Sequence, residues 1–106
     1  MLTIQIFDPV HSGFDGLLTV DFVNLLPSGA TISSGTVTCA IHPESEVADA
    51  SAATRVSGSV TITGTKLSRR FSGGVKGARY VLTFTPTFSD TTIDPVQGVV
   101  QVVQLN

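Results

Sequence analysis

Apolar and polar residues alternate along most of this chain, and most clearly in the stretch from Phe71 to Phe88, FSGGVKGARYVLTFTPTF. Tyr80, Leu82 and Phe84 fall on one side and Arg79, Val81, Thr83 and Thr85 on the other, the period-two pattern of a strand with one buried face. Immediately before it, Gly73, Gly74 and Gly77 supply backbone freedom at positive φ, so the chain must reverse there. The stretch predicts a β hairpin or corner, with Gly73, Gly74, Gly77 and Tyr80 as its structural residues, feeding a core strand.

The same alternation predicts the other strands. Leu2, Ile4 and Ile6 alternate with Thr3 and Gln5 up to Asp8-Pro9, where proline ends the ladder. After the loop HSGFDG, Leu18, Val20 and Phe22 share one face and Thr19, Asp21 and Val23 the other; Pro27-Ser28-Gly29 makes a turn. Val37, Cys39 and Ile41 face the core, which makes the cysteine a small buried hydrophobe. Residues 42–54, HPESEVADASAAT, lack an apolar stripe and are expected to form an exposed acidic loop.

Val56, Val60 and Ile62 mark one or two short strands, with a bulge at Ser57-Gly58 and a turn at Thr63-Gly64-Thr65. Leu67 and Phe71 point inward, and Arg69 shares their parity, so it sits at a rim or the strand bulges there. Pro86 predicts an edge position or a bend, and Ser89 to Asp94 a polar turn. The run Gly98 to Leu105 places Val100 and Val102 on one face and Val99, Val103 and Leu105 on the other; a strand apolar on both faces is covered twice, which points to a contact between subunits.

Seven or eight short antiparallel strands at this spacing predict an all-β, immunoglobulin-like (Ig-like) β-sandwich in a single domain over 1–106. Tyr80, near the start of the best strand, is a candidate tyrosine corner whose hydroxyl bonds back to upstream backbone.

Composition agrees. With 106 residues the chain can hide roughly 65% of its unfolded surface. Ten Gly, five Pro and only 13% charged residues favour short strands and turns over helices, and with no Trp the core rests on Phe, Leu, Ile and Val. A single cysteine excludes an intrachain disulfide. Met1 is followed at once by LTIQIF with no basic leader, and no apolar run approaches the ~20 residues of a membrane span, so the chain reads as soluble and unexported.

The net charge of −2 conceals a segregation. All six basic residues, Arg55, Lys66, Arg69, Arg70, Lys76 and Arg79, lie between positions 55 and 79, and all eight acidic residues lie outside that window. If the cations converge in space, one end of the molecule is positive and suits a charged or head-to-tail partner, with Arg69, Arg70, Lys76 and Arg79 as candidate contacts.

The chemistry-bearing residues are sparse. His11 and His42 lie in predicted loops with no CxxC or HxxxH spacing, so no metal site is assigned. No G-x-S-x-G elbow is present, and SGGVKG lacks the spacing of a phosphate cradle; no catalytic residue and no cofactor is assigned. Single-strand binders interleave cations with exposed aromatics, whereas Phe71 and Tyr80 face the core by parity, which argues against nucleic acid as a partner.

At LSRRFSGGVKGARYVLTFTPTFSD the chain resembles the small Ig-like virion structural proteins of tailed bacteriophages, of the fiber-tail adaptor type. The likeness is carried by Asp21-Phe22, Gly29-Ala30-Thr31-Ile32, Thr36-Val37-Thr38, Phe71-Ser72-Gly73-Gly74 with Gly77 and Tyr80, and Leu82-Thr83, over about residues 15 to 104. Phe22 and Phe71 stand where that group usually has Trp. The resemblance implies a non-enzymatic, multi-copy virion protein, made in the bacterial host cytoplasm and homo-oligomeric in the particle. It would join tail adaptor and fibers or, alternatively, decorate a capsid by binding the major capsid protein lattice.

Overall fold

Alternating sequence becomes strand through the whole of the computed structural model, which describes residues 3–27 and 29–103. Leu2, Ser28 and Leu105, assigned above to a strand, a turn and a strand, lie outside the described residues. The strands are β1 (Thr3–Ile6), β2 (Val10–His11), β3 (Asp15–Asp21), β4 (Ile32–Ile41), β5 (Val56–Thr63), β6 (Lys66–Ser72), β7 (Arg79–Phe88) and β8 (Val96–Val103), with one 3₁₀ turn at Ala52–Arg55. They form a larger sheet in the order β1-β8-β7-β4, with β2 also against β8, and a smaller sheet in the order β3-β6-β5. The protein is all-β, with two sheets in an arrangement compatible with a β-sandwich.

The sheets share one core. Leu18, Val20, Leu67 and Phe71 of the smaller sheet meet Val37, Tyr80, Leu82, Phe84, Val100 and Val102 of the larger, all buried in one cluster. Each such side chain stabilises the fold by about 1.5–3 kcal/mol relative to exposure. Aromatic pairs tie the layers: Phe71 meets Tyr80 edge-on with ring centroids 5.4 Å apart, and Phe22 meets Phe88 likewise at 6.2 Å. Cys39 is buried on β4, and burial pushes its thiol up to about 12, so it packs as a small neutral side chain.

Several expectations are corrected. The strands are not all antiparallel: β1 and β2 run parallel to β8, because the first and last strands are joined only through the whole intervening chain and need no tight turn. The alternation in β1 leaves open which side faces the core, and its isoleucines turn outward. Ile4 and Ile6 are 61% and 75% exposed, while Phe7, just beyond the strand, folds inward over Gly98 and packs its ring 6.0 Å from that of Phe84.

The edge position expected at Pro86 is borne out: β4 flanks β7 from Tyr80 to Phe88, whereas β8 flanks it only from Arg79 to Phe84. Pro86 lies two residues past the last β7–β8 pair, so its missing N–H interrupts no bond of that ladder. The bulge near Arg69 belongs to the partner strand, between Ser57 and Thr61 of β5. Arg69 itself sits at the rim, its guanidinium donating to the carbonyls of Val37 on β4 and Gly58 on β5. Within the chain β8 is covered on one face only, since Val103 remains exposed on the other.

Candidate functional site: a locked corner and an open sheet face

β6 and β7 belong to different sheets, so the glycine-rich stretch between them is a corner from one layer to the other and not a β hairpin. Gly73 and Gly77 take φ of +71° and +86°, where a Cβ is strained. Gly74 has no such φ; its role is close approach, since a Cβ there would lie 2.8 Å from Val102. The corner is bonded to β8: Gly77 N–H donates to the Val102 carbonyl at 2.8 Å, Val102 N–H to the Ala78 carbonyl at 2.9 Å, and the Gln101 side-chain amide to the Gly77 carbonyl at 3.1 Å.

Tyr80 lies at the centre of the lock. Its buried hydroxyl accepts the Val75 N–H at 2.8 Å, a bond to backbone five residues upstream, and donates to Asp49 Oδ2 at 2.6 Å. Asp49 in turn accepts two bonds from Arg55, at 2.8 and 3.1 Å, and the Ser51 N–H at 2.9 Å. The Arg55 guanidinium beside Asp49 holds its carboxyl well below the ordinary carboxylate range, with Tyr80 adding to the effect. Burial, and then the bond donated to Asp49, push the Tyr80 hydroxyl up. A carboxylate held ionised and a phenol held neutral do not exchange a proton near neutrality; the set is a staple between the 42–54 loop and the corner.

The segregated cations do not converge. Arg55 is used at the staple, Arg69 at the rim, and Arg70 on the outer face of the smaller sheet, bidentate to Asp15 at 2.6 and 2.9 Å. Arg79 projects from the outer face of the larger sheet, donating to Gln101 Oε1 at 3.0 Å, and Lys76 is exposed in the corner. Acidic residues distant in sequence thus sit beside the basic ones.

The outer face of the larger sheet carries the most exposed apolar surface of the described strands. Ile4 and Ile6 form a ridge along β1, Val81 and Val99 the floor beside it, and His42 and Glu44 the opposite wall of a concavity of about 460 Å³, into which Arg79 also opens. His42 accepts the Glu44 N–H at 2.9 Å, which closes a tight loop over that wall. Among the described residues no group of three or more His, Cys, Asp or Glu side chains is gathered to hold a metal, and no helix is long and apolar enough to cross a membrane.

A model of one protein family, described as Podophage GP4 fiber-tail adaptor protein gp77, matches residues 17–101. The chain belongs to this fiber-tail adaptor family. No curated protein matches it. The span matched to the fiber-tail adaptor family contains the whole corner, Tyr80, Asp49 and Arg55, and it begins after β1 and β2, so the Ile4 and Ile6 ridge lies outside it.

Asp49 and the β1 ridge are the residues that reading the sequence missed. The loop holding Asp49 was expected to be exposed; its alanines and acids have no period, and only the mixed burial at Ala52 and Asp49 shows that it folds back on β4 and the corner. For the ridge a signal did exist: Ile4 and Ile6 alternate strictly, and alternation specifies two faces without saying which is inward.

Proposed function

We propose that this chain is a non-enzymatic structural subunit of a phage virion, present in several copies and joining the tail to its fibers. The observation that carries this reading is the fiber-tail adaptor family match over residues 17–101. An Ig-like sandwich is supported by the strand order, since β8-β7-β4 and β3-β6-β5 follow the order of the two halves of that fold, and by a tyrosine near the start of β7 bonded to upstream backbone. A rigid block with outward sheet faces suits a protein whose work is to touch other proteins, here tail and fiber components of the same particle.

Of the four cations expected to contact partners, Arg69 is bonded to two backbone carbonyls, Arg70 to Asp15 and Arg79 to Gln101; Lys76, exposed on the corner, and Arg79, which still opens into the concavity of the larger sheet, are kept as contact candidates. Imaging the intact particle with this chain located in it tests the reading. Density for the chain at the tail-to-fiber junction is the expected result. Density spread over the shell at the symmetry of the major capsid protein would replace the adaptor role by capsid decoration.

A further inference from the structure

We propose that residues 3–11, which carry β1 and β2, form an exchangeable arm: where copies of this chain are held in contact, the arm of one pairs with β8 of its neighbour. The body is complete without it. Every buried residue of the shared core lies between Leu18 and Val102, and the arm adds only Phe7 and Val10 to that cluster, both partly buried. The span matched to the family, residues 17–101, leaves the arm out as well. What holds the arm is a parallel ladder along the outer edge of β8, Thr3–Ile6 against Val96–Val99 and Val10–His11 against Val102–Val103, with the Phe7 ring seated over Gly98.

That seat selects the occupant. The three atoms nearest to a Cβ placed on Gly98 all belong to the Phe7 ring, which the Cβ would overlap, so the glycine makes room for the arm. The segment that fits ladder and seat together is residues 3–11 of this chain, and a second copy brings the same segment. Exchange keeps every one of these pairs, so concentration decides it. A tethered arm meets its own β8 at an effective concentration on the order of millimolar, which copies packed side by side match; this step alone rests on the multi-copy reading above. The turn from His11 to Phe14, closed by the Phe14 N–H to His11 carbonyl bond at 2.9 Å, is the hinge. Fully extended, the arm spans about 30 Å, against molecular widths of 25 and 22 Å, so it reaches across to an adjoining copy. Ile4 and Ile6, which face water while the arm stays on its own body, then lie at the junction of two bodies.

Disulfide trapping between mixed chains tests this. Ile4 and Gln97 are register partners on neighbouring strands, with Cα atoms about 4.8 Å apart, a separation that a disulfide spans. In a Cys39→Ala background, Ile4→Cys and Gln97→Cys in one chain should close on themselves in dilute solution. Carried by two separate chains, one of them isotope-labelled, and mixed at about 1 mM, they should give a mixed-mass disulfide at about tenfold the yield of Ile4→Cys with Leu17→Cys, a position exposed on the other sheet. Gly98→Ala separates exchange from collision. In the Ile4→Cys chain it evicts the arm from its own β8 and should raise the mixed product several-fold; in the Gln97→Cys chain it blocks the receiving seat and should abolish that product. A double variant that does not close on itself, a mixed product no greater than the Leu17→Cys control, or one indifferent to which chain carries Gly98→Ala would each overturn the proposal. None of these outcomes depends on where in a virus the chain sits, so this proposal and the tail-adaptor reading fail separately.

Discussion

Two arginine–aspartate pairs in this molecule have nearly the same geometry and opposite surroundings. Arg55 grips Asp49 at 2.8 and 3.1 Å at the corner, and Arg70 grips Asp15 at 2.6 and 2.9 Å on the outer face of the smaller sheet. The Asp49 side chain is 4% exposed and that of Asp15 51%. Water solvates the second pair whether or not it closes, so closing it changes little. At the corner each partner would be stranded without the other, and Asp49 is further committed to Tyr80. Distance therefore says little about what a charge pair contributes here; enclosure decides.

The largest expected effect follows from breaking the enclosed pair. Asp49→Ala should destabilise the protein by about 3 kcal/mol, read from the denaturant midpoint, because it leaves Arg55 poorly solvated and the Tyr80 hydroxyl without its acceptor. A loss no larger than that of a surface substitution would mean the corner solvates its own groups. The same pair predicts the acid limb. Its depressed pKa means that Asp49 contributes stability that is fully present above the ordinary value of 3.8 and is lost as pH falls toward the folded-state value. Stability should thus decline below about pH 4, and Asp49→Asn should flatten that decline.

Next comes the backbone that lets the corner form. Gly77→Val places a β-branched residue at φ +86° with its Cβ 3.0 Å from Val47, and should cost about 1–3 kcal/mol in a melting experiment. Normal yield and melting would show that the 42–54 loop moves aside at little cost. Tyr80→Phe is milder. It keeps the ring against Phe71 but strips the Val75 N–H of its acceptor and Asp49 of one donor, for about 1–2 kcal/mol.

The strands and the corner could be read from sequence because they are local: alternation and glycine spacing act over a few residues, and Tyr80 announces itself by its position at the head of a strand. The staple could not. Asp49 lies 31 positions from Tyr80, in a loop without period, and only the packing of β4 and the 3₁₀ turn brings them together. The charge map misled for a related reason. Sequence puts every cation in one window, but Asp15 and Arg70 meet across 55 positions because β3 pairs with β6, so folding interleaves what the chain segregates. Pro86 could be read because its constraint is local too: β8 leaves β7 after Phe84, so a residue without an N–H interrupts no bond of that ladder.

The smallest expected effect belongs to the exposed pair and is the sharpest check on the comparison. Asp15→Ala, Arg70→Ala and the double variant form a cycle whose coupling should be indistinguishable from zero at moderate salt, since both groups stay hydrated when parted. The equivalent cycle at Asp49 and Arg55 should show clear coupling that added salt hardly reduces, because an enclosed pair is poorly screened. Equal coupling in the two cycles would remove enclosure as the deciding variable. It would leave Tyr80, a partner Asp15 lacks, as a bystander to a pair held by its own geometry.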